Sequence, residues 1–257
     1  MIKIYKTIKA FYSNLIIINE SFDKSNKLLE SRMHELESLK ARQIILKEFL
    51  SGAVGSKSQY LQDLFVLRET NYQMNGFFVD FGATDGVDGS NSWLLENQYN
   101  WSGILAEPAR CWHEKLIQNR KSKIDTRCVW AKTGDVIEFK EADVAVLSTA
   151  KIFTHSDHHA KMRESGNSYN VETISLTDLL DFHNAPKVID YLSIDTEGSE
   201  LLILENFDFS KYEIKIITCE HNFSPERDKI RNLLEGKGYV RKYEYISECD
   251  DWYIKVR

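Results

Sequence analysis

Four cysteines in 257 residues (Cys111, Cys128, Cys219 and Cys249) lie too far apart to form any Cys-x-x-Cys pair. That spacing excludes a zinc ribbon or a disulfide framework and fits reduced thiols in a cytoplasmic protein. Only three prolines occur (Pro108, Pro186 and Pro225), and no Ser/Gly/Pro tract, internal repeat or low-complexity run marks a long flexible linker. Long apolar runs are missing as well. The opening stretch MIKIYKTIKAFYSNLIIINE is broken by Lys3, Lys6, Lys9, Ser13 and Asn14, and no small-residue cleavage site follows it. A bilayer span needs about 20 consecutive apolar residues, so neither a membrane helix nor a signal peptide is expected. Basic charge is also short in most of the chain. The net charge of -6 divides into +4 over residues 1–58 and -10 over the rest. Recognition of phosphate backbones rests on clustered Lys and Arg, so a nucleic-acid substrate is disfavoured.

What is present is a globular composition, 42% hydrophobic and 28% charged, long enough for one large α/β domain with an appendage. Residues 1–50 contain no proline or glycine. A heptad register puts Met1, Ile8, Leu15, Phe22, Leu29, Leu36, Gln43 and Leu50 at one position. Ile4, Phe11, Ile18, Ser25, Arg32, Leu39 and Leu46 fall at its companion, and twelve of the fifteen sites are apolar. This is the pattern of a helix with a continuous seam, interrupted at Ser25, Arg32 and Gln43. A helix of that length runs about 75 Å, more than its own domain can cover. Self-association into a homo-oligomer is expected. The alternatives are a different helix, an anionic membrane surface at the inner face met by the Lys3, Lys6, Lys9 side, or packing back on the same chain. SGAVGS (51–56) then punctuates the chain, giving a helical extension over 1–56 and a second unit over 57–257.

From residue 58 short apolar runs alternate with amphipathic stretches, the signature of βαβ units and a largely parallel sheet. The spacing predicts strands at Phe77–Phe81, Gly103–Ala106, Ile124–Trp130, Ile189–Ile194, Ile214–Glu220, Tyr239–Ser247 and Trp252–Val256. Helices are expected at Gln59–Asn71, Asn91–Asn97, Cys111–Asn119, Leu176–Phe182, Ser199–Glu205 and Pro225–Gly236. Two strands closing behind one helix predict an antiparallel finish.

The segment GFFVDFGATDGVDGSNSWLLE (76–96) is a hydrophobic strand ending in Asp80, a glycine turn, and a helix start. Gly82 and Gly86 let the backbone pass close to a ligand, and Asp80 can accept a hydrogen bond from a ligand ammonium. Further on, WSGILAEPA ends a second strand in Glu107, which can accept both hydroxyls of a ribose. NAD sites share that acid, but they favour G-x-G-x-x-G at a helix N-terminus that receives a pyrophosphate. Here the turn reads D-F-G-A-T-D-G, and Asp80 and Asp85 would repel a diphosphate. A cationic cofactor without phosphate, S-adenosyl-L-methionine, suits it better. Its expected contacts are Asp80, Gly82, Ala83, Asp85, Gly86, Ser90, Asn91, Glu107, Pro108 and Asp195. In DYLSIDTEGSELLILENFDF (190–209) the strand ends in Asp195, followed by Glu197, Gly198 and Glu200. Carboxylates there sit where open α/β sheets bind ligands, whereas Glu200 alone is explained by the helix dipole. IITCEHNF (216–223) ends its strand in Glu220, His221 and Asn222.

GFFVDFGATDGVDGSNSW, GILAEP, IDYLSIDTEGSELLIL, KIITCEHNF and the terminal DDWY together resemble the FkbM-type methyltransferases. The resemblance spans roughly residues 58–257 and implies a class I, Rossmann-like fold, S-adenosylmethionine, and O-methylation of hydroxyls on saccharides, glycoconjugates or related small metabolites. Thr84–Asp85 departs from it, since many relatives carry Asn and a neutral residue there. A hydroxyl acceptor gains from a general base, for which His221 is the first candidate and Asp195 and Glu197 the competitors. Between strands, the polar loop 147–169 carries His155, Asp157, His158 and His159, which are metal-ligand types. Acceptor contacts by Asp157, His158 or Arg163 are preferred there, and no metal is assigned. The alternatives are a non-catalytic coiled-coil scaffold whose Rossmann-like domain only binds a ligand, or methylation of nucleic acid or protein.

Overall fold

The computed structural model describes residues 21–33, 35–40, 43–44, 47, 55–154, 161, 165–244 and 246–256. Within the N-terminal stretch, residues 21–33 and 35–40 are helical. The rest builds two sheets. The strands of the larger are β1 (Phe77–Phe81), β2 (Ser102–Ala106), β3 (Lys123–Asp125), β8 (Val188–Ile194), β9 (Glu213–Glu220), β10 (Tyr239–Lys242) and β11 (Asp250–Lys255). Their order is β10-β11-β9-β8-β1-β2-β3. All pairs are parallel except those made by β11, which runs against both β9 and β10. The antiparallel finish expected from the two closing strands is therefore present.

β1 (FFVDF) and β8 (VIDYLSI) are buried on both faces, which is why they read as near-continuous apolar runs. Alternation sends Phe78 to one face and Val79 and Phe81 to the other. Helices α1 (Gln62–Glu69), α2 (Trp93–Tyr99) and α3 (Arg110–Asn119) lie on the Phe78 face. There Phe65, Leu94, Leu95, Leu116, Tyr191 and Trp252 pack together. Helices α4 (Leu176–Phe182), α5 (Glu200–Glu205) and α6 (Arg227–Gly236) cover the other face through Leu179, Leu180, Leu204, Ile230 and Leu234. Each such fully buried side chain contributes about 1.5–3 kcal/mol, so two such layers hold the strand ends fixed.

The smaller sheet has the order β4-β7-β5-β6, formed by Cys128–Trp130, Asn167–Ser175, Val136–Glu141 and Thr149–Ala150. Three expectations change. The single strand predicted over Ile124–Trp130 is two, β3 and β4, in different sheets. The break is pinned by Asp125, whose carboxylate accepts from the Arg127 amide (3.0 Å) and guanidinium (2.6 Å). The loop predicted over 147–169 contains β6 and the start of β7. Their partner β5 (VIEFKE) escaped notice because only Phe139 in it is buried, leaving no apolar run. Finally, the strand expected over Tyr239–Ser247 stops at Lys242, where Tyr243 turns to a φ of 53°.

Candidate cofactor and acceptor site

The carboxyl ends of the central strands carry a row of acids. Register pairs Phe81 with Ala106 on one side and with Ile194 on the other, so the next residue, Gly82, lies between Glu107 and Asp195. Ile194 pairs with Cys219, which sets Asp195 beside Glu220, and Glu220 pairs with Asp250. A cavity of about 380 Å³ opens over this row. Asp80, Gly82, Ala83, Ser90, Asn91, Glu107, Pro108, Asp195 and Glu197, nine of the expected site residues, line it.

Gly82 is required here twice over. Its φ is 75°, and a Cβ would lie 2.0 Å from the Asp195 carbonyl oxygen, a backbone atom with no freedom to withdraw. Gly86, at φ 80°, leaves room for Arg120, whose Cγ would meet an added Cβ at 2.6 Å. Arg120 is buried at the end of α3 and ties down the loop after the glycines. It donates to the Gly86 carbonyl (3.1 Å), Ser90 Oγ (3.1 Å) and Ser92 Oγ (3.0 Å), and it pairs with Glu96 (3.1 Å). Gly86 thus supports the loop and is not among the cavity-lining residues. Asp85 is a second correction. Its carboxylate accepts from the Val87 and Asp88 amides (2.8 and 3.0 Å), closing the turn, and Thr84 and Asp88 line the cavity in its place.

Asp80 is 4% exposed and accepts from Ser92 Oγ, and burial pushes its pKa above the ordinary carboxylate value. Asn91 donates to Ser193 Oγ (3.0 Å), while its own Oδ1 is buried with no hydrogen-bond partner. Glu107 accepts the Thr84 and Ala109 amides, both at 2.8 Å, one on each oxygen. Those donors favour its charged form, but burial outweighs them and pushes its pKa up to about 7. The ligand-capable atoms of Asp195, Glu197 and Glu220 all lie within 4.8 Å of one another, close enough to hold a cation. Asn222 Nδ2 donates to Glu197 (3.2 Å), and Thr149 Oγ1 holds the Glu197 carbonyl (2.9 Å). Glu200, by contrast, caps its own helix start by accepting from the Thr196 and Gly198 amides, both at 3.0 Å.

His221 does not reach the cavity, although its neighbours Glu220 and Asn222 line it. Its Nδ1 accepts from the Phe223 amide (3.0 Å), which leaves the proton on Nε2, 3.7 Å from Asp251 Oδ1. Arg227 and Arg241 grip the same Asp251. Burial first, with the two arginines adding to it, lowers the His221 pKa to about 4, so it is a neutral imidazole held in a structural network. His155, Asp157, His158, His159 and Arg163 lie outside the described residues. Several cavity walls carried no sequence signal: Gln59 and Tyr60 ahead of α1, Phe139 of β5, and the turn Ala145–Ser148. They belong to an irregular lead-in and to the small sheet, neither of which shows apolar periodicity.

The Methyltransferase FkbM domain matches residues 80–241, more than half of the chain. The chain belongs to the FkbM methyltransferase family. Its fold is of class I, with the mostly parallel sheet and reversed β11 described above. Among solved structures it is similar to precorrin-6y C5,15-methyltransferase from Geobacter metallireducens GS-15. The identity is 12% and the TM-score 0.37, over 70% of this chain and 71% of that one. It is also similar to a candidate sarcosine dimethylglycine methyltransferase from Galdieria sulphuraria, at 10% identity and a TM-score of 0.33, over 70% of this chain and 61% of that one. A comparison with curated proteins gave no match. Among the described residues of this FkbM-family methyltransferase, no helix is long and apolar enough to cross a membrane.

Proposed function

We propose that this protein transfers the methyl group of S-adenosylmethionine to a hydroxyl of a saccharide, a glycoconjugate or a related small metabolite. The acidic row Glu107–Gly82–Asp195–Glu220 under one cavity carries the reading, because it suits a cofactor with two positive charges and no phosphate. Asp80 and the unpartnered Asn91 Oδ1 would receive the ammonium, Glu107 the ribose hydroxyls, and the Gly82 backbone would approach the ligand without a Cβ in the way. When bound, the sulfonium supplies an electrophilic methyl. The chain's part is to orient cofactor and acceptor and to take the acceptor's proton. Calorimetry tests the cofactor: S-adenosylmethionine and its demethylated product should bind, and NAD should not. Asp80→Asn should weaken both by about 1–3 kcal/mol, the cost of leaving ligand donors unmatched. Tight NAD binding, or indifference to Asp80→Asn, contradicts the assignment. Methyl transfer from labelled cofactor to a panel of neutral saccharides tests the acceptor class.

We also propose that the N-terminal helix joins copies of the chain. In its described part the seam residues Phe22, Leu29, Leu36 and Leu39 are all more than half exposed, so the stripe is uncovered within one chain.

A further inference from the structure

We propose that Gln59 and Tyr60, on the chain leading into α1, form the seat for the carboxylate of the bound cofactor. This rests on the cofactor reading above and concerns the part of that ligand which the acidic row cannot hold. S-adenosylmethionine carries a carboxylate on the same carbon as its ammonium. Among the described residues, no Lys, Arg or His lines the cavity. A negative charge entering a space walled by Asp80, Glu107, Asp195 and Glu220 therefore needs neutral N–H and O–H donors. It needs them close to Asp80 and Asn91, whose unpartnered Oδ1 would receive the adjoining ammonium.

Most of the donors lining the cavity are already committed. Ser148 Oγ donates to the Ala145 carbonyl (2.7 Å), Thr196 Oγ1 to Glu200 (2.9 Å) and Ser199 Oγ to Thr196 (2.9 Å). Asn222 Nδ2 donates to Glu197 (3.2 Å), and Thr84 stands at Glu107, where the ribose would lie. Gln59 and Tyr60 differ. Gln59 Nε2 donates one of its two protons to Tyr60 Oη (3.0 Å). The Tyr60 hydroxyl in turn donates to Cys249 Sγ (3.7 Å), a weak acceptor that it can exchange for a carboxylate. Gln59 is exposed and Tyr60 half-buried, so a ligand in the cavity would cover both.

The fold holds these two residues in place. The helix expected from Gln59 begins instead at Gln62, and residues 55–61 run as a strap along the cavity. Ser58 makes a parallel backbone bridge to Gly89, which brings Gln59 beside the turn that leads into Ser90 and Asn91. Asp63, fully buried, accepts from Ser56 Oγ and Ser58 Oγ, both at 2.7 Å, and from the Leu64 amide (2.8 Å). Gln62 accepts from the Tyr60 amide (2.9 Å) and donates to Asp250 (2.7 Å). Between these anchors Leu61 is kept at a φ of 69°, a conformation that leucine adopts only where its surroundings impose it. Donors fixed in this way lose little freedom when the ligand arrives.

The test needs no acceptor and uses the full chain. S-adenosylmethionine and its decarboxylated form share sulfonium, ammonium, ribose and adenine and differ only in the carboxylate. Calorimetry gives the Kd of each for the wild type and for Gln59→Ala, Gln59→Glu and Tyr60→Phe. The wild type should bind the carboxylate form about tenfold to a hundredfold more tightly, the effect of one or two hydrogen bonds to a charged group. Gln59→Ala and Tyr60→Phe should each remove part of that preference by weakening the carboxylate form alone. Gln59→Glu, which adds a negative charge at an exposed position, should weaken the carboxylate form further and leave the decarboxylated one bound as well as before, or better. Variants that keep the wild-type preference, or that lose both ligands equally, overturn the assignment, the latter because the strap would then be a structural cover alone. A wild type that binds both ligands without preference removes the seat and leaves the cofactor reading standing. A wild type that binds neither removes the cofactor reading, and the seat with it.

Discussion

Glu107→Gln should stabilise the ligand-free protein at alkaline pH while weakening its hold on the cofactor. Glu107 is 4% exposed, and burial raises its pKa from 4.5 to about 7. An acid whose folded pKa is raised gives stability that is complete below its unfolded value and is lost as pH climbs to its folded one. The window therefore runs from about pH 4.5 to about pH 7. At about 1.36 kcal/mol per unit, the full loss is about 3 kcal/mol, of which about 2.5 kcal/mol falls between about pH 5 and pH 8. Glutamine cannot ionise, so it escapes this loss. It does present an amide group to one of the two backbone donors, Thr84 or Ala109, at a cost of about 1–3 kcal/mol that does not depend on pH. The variant should be the less stable protein near pH 5 and should improve relative to wild type by about 2.5 kcal/mol near pH 8. Urea unfolding of both proteins at the two pH values measures this, and taking the difference cancels every other titrating group. A stability difference that stays constant from pH 5 to pH 8 would refute the claim that Glu107 is buried at the expense of its charge. In the same variant, cofactor binding should weaken, since a ribose hydroxyl loses an acceptor.

Two other perturbations separate structure from chemistry. His221→Asn should lower stability by about 1–3 kcal/mol through the Phe223 and Asp251 contacts, and leave cofactor affinity and turnover close to wild type; a hundredfold loss of turnover in a fully stable variant would return the base to His221. Light scattering should find the full chain oligomeric and a chain beginning at Lys57 monomeric. A full-length monomer that also ignores anionic vesicles would mean that the seam is covered by its own domain.

The parts of this molecule that were legible in its sequence are those where one physical requirement dominates a stretch of chain. β1 and β8 are buried on both faces, so their apolar runs stand out, and the acids ending them mark the strand termini where ligands bind. Gly82 is legible for the same reason: a backbone crossing within 2.0 Å of a would-be Cβ admits no other residue. Where requirements mix, the pattern fades. β5 is a strand because β7 and β6 satisfy its backbone on either side, not because of its own VIEFKE residues. Arg120 reads as a surface charge after a helix until the fold closes Gly86, Ser90 and Ser92 around it.

His221 and Glu220 show the sharpest form of this ambiguity. They are adjacent, polar and at one strand end, and imidazole is the better base near neutral pH on intrinsic grounds. Alternation along a strand sends neighbours to opposite sides, so only one of the two can face the cavity. The sequence supplies no phase for that choice, because the turn at Asn222 and Phe223, with φ values of 42° and 55°, interrupts the periodicity. Tertiary electrostatics decide it. Asp251, gripped by Arg227 and Arg241, offers the imidazole a place on one side, and strand register sets Glu220 beside Asp195 at the cavity on the other. Glu220 is thus the one placed over the cavity, and burial there pushes its pKa well above the ordinary carboxylate value.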